Sequence, residues 1–250
     1  MRLPFYVGSG SLGPDSSRLQ GRFSTAAGLI EAMRFVSRIK HPFCGLSHWI
    51  GAALALIGTV ILLQMAWGKP LAMAAFGIYG LALVGLYTAS GLYHSVACEG
   101  RRETFLRKLD HTGIFLLIAG TYVPVCLLAL PKQYGWTFLA FQALFVLIGL
   151  FGTFLLRKFP AVLNVVLYLL MGWMAVFALG WIGANWPRHA IFLLVTGGLV
   201  YTVGAVIFAT DCPHLWPGRF SAHDLWHVFV LAGSGCHYLL MTTYVARLPG

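Results

Sequence analysis

Charge is what this 250-residue sequence has least of: 10% of its residues are charged, against roughly 25% in a soluble domain. With 59% hydrophobic residues and a mean hydropathy of +0.80, a soluble globular enzyme is excluded, because no soluble fold hides that much apolar surface. Cysteine is sparse and unpatterned. Cys44, Cys98, Cys126, Cys212 and Cys236 show neither CxxC spacing nor the density of a secreted disulfide scaffold, so they read as free thiols, small apolar groups in a bundle rather than chemistry. Residues 1–25 lack an apolar core long enough for a cleavable secretory signal.

What is present is a series of long apolar runs. A membrane-crossing helix needs about 20 mainly apolar residues, and the runs predict seven, over about residues 46–66, 71–97, 109–130, 135–155, 161–183, 189–209 and 223–245. Breakers paired with cations or interfacial aromatics separate them: Trp67-Gly68-Lys69-Pro70, Pro131-Lys132, Arg157-Lys158-Phe159-Pro160, Trp186-Pro187-Arg188 and Trp216-Pro217-Gly218-Arg219. The expected fold is all-α, a polytopic seven-transmembrane helix bundle over residues 41–250.

The net charge of +10 invites a nucleic-acid reading, which the placement of the cations removes. Thirteen of the 17 fall in the N-terminal tail and alternate loops, leaving Lys69, Lys132, Arg188 and Arg247 on the other side. This positive-inside asymmetry puts the N-terminus in the cytoplasm and the C-terminus outside, and makes anionic lipid headgroups, not DNA, the partner of the basic excess. Residues 1–40 read as a basic cytoplasmic tail in which Leu29, Ile30, Met33, Val36 and Ile39 fall close to one face of an interfacial helix. An Arg-rich, acid-poor transit peptide has a similar look.

Ionisable groups inside spans are costly and mark function. His48, His94, Asp110, His223 and His227 come from four spans but converge near one membrane surface, the cytoplasmic one by this topology. His223 and His227 stand one turn apart on one helical face, with about 5–6 Å between Cβ atoms, and such a pair can grip a metal ion. An isolated HxxxH is weak; a third histidine and an aspartate at the same depth strengthen it, and His94 is the best third ligand. Three neutral histidines with one open position are the usual catalytic zinc arrangement. Ser90, one turn before His94, reads either as a hydroxyl for substrate or metal-bound water or as a serine bonded to its own helix. Asp110 pairs with Arg107 or Lys108 at the surface, or serves as general base beside a metal.

In order, Ser90-x-x-x-His94, Asp110 after a short basic loop, and Pro217-Gly218-x-Phe220-x-x-His223-x-x-x-His227 resemble the hemolysin III and progestin/adipoQ receptor (adiponectin receptor-like) family over residues 40–245. The resemblance implies zinc on His94, His223 and His227, Asp110 near the zinc-bound water and Ser90 beside the site. It also links the chain to membrane hydrolases that include alkaline ceramidases, which makes a lipid amide the implied substrate and a bacterial plasma membrane the implied location. The first-span motif departs from the eukaryotic pattern: Cys44 stands where asparagine is expected, although His48 keeps its place, as a capping or outer group. That departure favours the bacterial branch over receptor function. The alternatives are a receptor-like or regulatory protein with structural zinc, then a cytolysin or channel, for which no pore-forming amphipathic hairpin is seen. A proton-coupled transporter using Asp110 lacks any inverted repeat or broken helix in the sequence.

The other histidines sort by geometry. His237 lies about 21 Å beyond His223 along a helix and reads as an interhelical hydrogen-bonding group. His189 and His214 read as loop or interface residues, and His111, rotated about 100° from Asp110 on the helix, reads as at best an outer group beside the site. Gly80, Gly85, Gly91, Gly149, Gly152, Gly197 and Gly198 read as points of close helix contact.

Overall fold

The computed structural model describes residues 40–156, 160–213, 215–216 and 220–249. Among them the helices are α1 (Pro42–Met65), α2 (Pro70–Ser95), α3 (Arg101–Pro124), α4 (Lys132–Leu155), α5 (Ala161–Trp173), α6 (Leu179–Asn185), α7 (Arg188–Thr210) and α8 (Ala222–Thr243). The basic tail and its interfacial helix, the Arg157-Lys158 pair, His214 and the Pro217-Gly218 part of the last motif lie outside the described residues. Seven helical stretches are long and apolar enough to cross a membrane, with α3 extended through Ala129 and α5 joined to α6.

Prolines set the helix starts. Pro42 and Pro70 occupy the first turns of α1 and α2, while Pro131, Pro160 and Pro187 stand immediately before α4, α5 and α7. Proline fits there because the missing N–H would have no intrahelical partner and its fixed φ already suits a helix. The third span starts at Arg101 instead of near residue 109. Arg101, Arg102, Arg107 and Lys108 are good helix formers that continue the helix past the hydrocarbon, which an apolarity count does not register. The turn ahead of it needs Gly100, whose φ is +67°.

Burial is inverted relative to a soluble protein. Phe177, Leu81 and Val162 face outward at 81%, 74% and 72% exposure, while His48, Ser90, His94 and His227 are buried. Small residues bring the helices together: a Cβ on Gly80 would lie 2.2 Å from the Thr59 methyl, and one on Gly149 would lie 2.5 Å from the Phe115 ring. Gly91 and Gly197 are likewise contact points, against Trp49 and His237. Gly85 and Gly198 are not, since nothing stands within 4 Å of a Cβ at either.

Two spans are irregular, which the sequence reading did not anticipate. Pro124 ends α3 in a π-helical turn over Val125–Ala129, as expected where the ring removes an N–H from the ladder. The fifth span runs α5, a 3₁₀ segment over Met174–Ala178, then α6. Backbone groups released inside a bilayer must find partners within the protein. Here Gln142 Nε2 donates to the Met171 carbonyl at 2.9 Å, Tyr122 Oη donates to the Gly172 carbonyl at 2.8 Å, and the Ala175 N–H donates to Tyr122 Oη at 3.0 Å.

In the fold, α2 packs between α1 and α3, α7 against α8, and α8 closes back on α1. The start of α1, the end of α2 and the starts of α3 and α8 thereby meet at one end of the bundle.

Candidate metal centre

Two short-range features fix the ends of the helices that meet there. The His41 N–H donates to the His94 carbonyl at 2.9 Å, tying the start of α1 to the end of α2. Lys40 pairs with Glu103 and lies 4.8 Å above the Tyr93 ring, so the same corner is clasped to α3. The hydrogen bond that Lys40 donates to the Glu103 carboxylate raises the Lys40 ammonium pKa above its ordinary value.

At the start of α8, Ser221 and Asp224 form a capping box: the Asp224 N–H donates to Ser221 Oγ at 3.1 Å, and Asp224 Oδ2 accepts from the Ser221 N–H at 2.8 Å. This satisfies donors that a helix start leaves open and fixes the first turn, from which His223 and His227 project. Their Nε2 atoms are 3.3 Å apart. His94 completes the triangle from α2, its ring centroid 5.1 Å from that of His223 and 4.7 Å from that of His227. The three histidines singled out in the sequence are therefore brought together.

A fourth donor joins them from α1. Donor atoms of Cys44, His94, His223 and His227 all lie within 4.8 Å of one another. Cys44 is buried, and its Sγ–H donates to Asp224 Oδ1 at 3.1 Å. The reading of Cys44 as a bystander thiol thus gives way to a position inside the cluster. The signal in the sequence was the pair of spacings Cys44-x-x-x-His48 and Ser221-x-x-Asp224; neither indicates that α1 and α8 touch.

The donor set fits a metal ion of the zinc class. Zn–N bonds of about 2.0–2.1 Å in a tetrahedron put two nitrogens about 3.3 Å apart, which is the separation of the His223 and His227 Nε2 atoms. Both ring nitrogens of His94 are buried without a hydrogen-bond partner among the described residues. Buried polar atoms left unpaired are costly, and a cation held among them supplies what the protein does not. Imidazole and thiolate donors together select zinc or a similar transition metal over magnesium or calcium.

His48 stays outside this set. Its ring lies 4.0 Å from that of His227 and edge-on to Tyr87, with both nitrogens unpartnered, as an outer group behind the cluster. Asp110 and Ser90 do not join the four donors either; they face a cavity of about 220 Å³ on whose wall His223 and His227 also stand. His111, read as an outer group, lines the same cavity, and its carbonyl accepts from the Tyr168 hydroxyl at 2.9 Å. A second cavity, about 150 Å³ and lined almost wholly by apolar groups, lies against the first, with Leu86, Ile114, Tyr168, Ala205, Trp226 and Val230 on the walls of both. His237 sits on that second wall, stacked on Tyr201 and far from the cluster, as its spacing from His223 requires.

Comparison with known proteins covers this part of the chain. Haemolysin-III related proteins match residues 36–238, a stretch that takes in every cluster residue from Cys44 to His227. Hemolysin-3 of Bacillus cereus is 36% identical over 203 residues, covering 80% of this chain and 89% of the relative. The Hemolysin-3 homolog of Bacillus subtilis is 31% identical over 207 residues, 82% of this chain and 93% of the relative. Human monocyte to macrophage differentiation factor, at 27% over 209 residues, covers 78% and 80%. The apolar helices and the Bacillus relatives make this an integral membrane protein of a bacterial plasma membrane. With matches that run through six spans and into the seventh, the chain belongs to the haemolysin-III related family, in its wider grouping with the progestin and adipoQ receptors.

Proposed function

We propose that this protein is a zinc-dependent membrane hydrolase that cleaves lipid amides of the ceramide type. The observation that carries the reading is the adjacency of two unlike cavities: one with His223, His227, Asp110 and Ser90 on its walls, and an apolar one that shares part of its lining. An amphiphile whose polar link must be cut while its chain stays out of water requires that pairing. Trp173, Val176, Leu179 and Val195 line the apolar cavity and are also exposed on the outer face, so its opening is toward lipid rather than water. The 3₁₀ segment of the fifth span forms part of this wall.

His94, His223 and His227 would hold the metal. When bound there, zinc supplies a Lewis acid and lowers the pKa of water into the neutral range. Asp110 faces the same cavity without being one of the clustered donors, which leaves its carboxylate free to take a proton from the attacking water and return it to the amide nitrogen as that leaves. Ser90, buried beside Asp110, orients that carboxylate or donates to the substrate carbonyl. Only shared lining side chains stand between these groups and the apolar cavity, so a shift of those side chains would let a scissile amide reach them with its acyl chain still in apolar surroundings.

The test is fatty-acid release from a panel of ceramide-like and other acyl-amide lipids in nanodiscs. Release by wild type, with loss in His94→Ala, supports the reading. A protein that carries zinc but releases nothing across the panel removes it, and the receptor-like reading with a structural metal then leads.

A further inference from the structure

We propose that Cys44 is a fourth protein ligand, so that the resting metal centre is a Cys-His₃ set and not a three-histidine set with an open position. The inference rests on the metal reading above and adds to it a ligand from a helix that supplied none. Four observations carry it. The Cys44 Sγ lies with the three histidine nitrogens inside a 4.8 Å cluster. It is 2% exposed, so solvent does not compete for it. Its neighbours include His94, whose two ring nitrogens are buried with no partner among the described residues, and the facing Nε2 atoms of His223 and His227, which contact only each other. Finally, the thiol is aimed, not merely near: Asp224 has one oxygen fixed in the capping box of α8 and the other accepting from Cys44.

Asp224 is thereby a positioning residue. It sits between His223 and His227 in sequence, and its carboxylate ties the α1 thiol to the helix turn that carries both histidines. Metal binding breaks the Cys44 S–H bond and forms an S–metal bond; the proton leaves toward Asp224 Oδ1, which already accepts it, and from there to water. A thiolate with three imidazoles closes a tetrahedral ion. With Cys44 bound the resting centre would be closed, and a substrate or reacting water would reach the ion only by displacing Cys44 or by adding as a fifth ligand.

Cobalt reports directly on this. The purified protein, stripped of metal and reloaded with Co²⁺ in detergent, is expected to show visible bands of a tetrahedral ion together with a near-ultraviolet sulfur-to-cobalt charge-transfer band. Cys44→Ser is expected to keep the visible bands and lose the near-ultraviolet one. A variant with Cys98, Cys126, Cys212 and Cys236 all replaced by Ser retains both, which guards against a Cys44→Ser protein that does not fold. Asp224→Asn shifts or weakens the charge-transfer band while cobalt remains bound. Wild type that binds cobalt without the sulfur band, or keeps the band in Cys44→Ser, overturns the role of Cys44 and leaves the three-histidine reading intact. Wild type that binds no cobalt overturns both.

Discussion

His223 Nε2 and His227 Nε2 stand 3.3 Å apart across one turn of α8, the edge length of a tetrahedral zinc site. Elemental analysis of the detergent-purified protein is therefore expected to give zinc near one equivalent in wild type and close to none in His227→Ala, since removing a central, buried ligand breaks three edges of the cluster at once. Equal zinc in the two proteins would remove the site.

Metal held only by the folded bundle stabilises it by mass action, by about 2.7 kcal/mol at a hundredfold excess over the dissociation constant. The ligands must be unprotonated to bind, and free histidine titrates at about 6.5. The contribution is thus present above that region and fades as pH falls through it. Chelator is expected to lower the melting temperature clearly at pH 7.5 and much less at pH 5; indifference at both, after verified metal removal, would mean the bundle does not depend on the ion.

Asp110 lines the polar cavity yet stands outside the four-donor cluster. Asp110→Asn should accordingly retain its zinc while lipid-amide turnover drops by about 10² to 10⁴, the usual range for a general acid or base. Full activity with zinc retained would assign the proton transfer elsewhere.

Glycine contacts give a stability test independent of the metal. A Cβ at Gly135 would lie 2.3 Å from the backbone carbonyl oxygen of Cys126, an atom that cannot swing aside, whereas one at Gly85 meets nothing within 4 Å. Gly135→Ala is expected to destabilise by about 1–3 kcal/mol and Gly85→Ala to be neutral or slightly stabilising, read as melting temperatures in the same detergent.

Of the 17 cations, only Lys69, Lys132, Arg188 and Arg247 fall on the C-terminal side of the proposed topology. A reporter fused after Gly250 is expected to be active only in the form that works outside the cytoplasm. Activity of a cytoplasmic reporter would invert the orientation and move the cluster to the other leaflet.

The number and order of the spans were readable because each rests on a local property, an unbroken apolar run ended by proline, glycine or a cation. His94, His223 and His227 were readable for a related reason: ionisable side chains in apolar runs are rare enough to stand out singly. Cys44 was not, because a buried cysteine looks the same whether it fills space or binds metal, and the difference lies in α1 meeting α8, a contact between residues 180 apart in the chain. The break in the fifth span was hidden differently. Met174–Ala178 is as apolar as its neighbours, and what permits its irregular backbone is a set of hydrogen bonds from Gln142 and Tyr122 on other helices. No local pattern encodes a partner on a distant span.

The cluster draws on α1, α2 and α8, the earliest and latest helices of the bundle. A nascent chain therefore inserts Cys44 and His94 long before His223 exists, and at roughly 5–20 residues per second the ribosome spends on the order of ten seconds between His94 and His223. Until then the first two spans carry a thiol and an imidazole with no counterpart. The cluster can assemble only after the last span arrives, so metal bound by these four donors would report that translation and insertion have run through residue 227, and a chain cut short by a single span is left with an incomplete donor set however well its other helices fold.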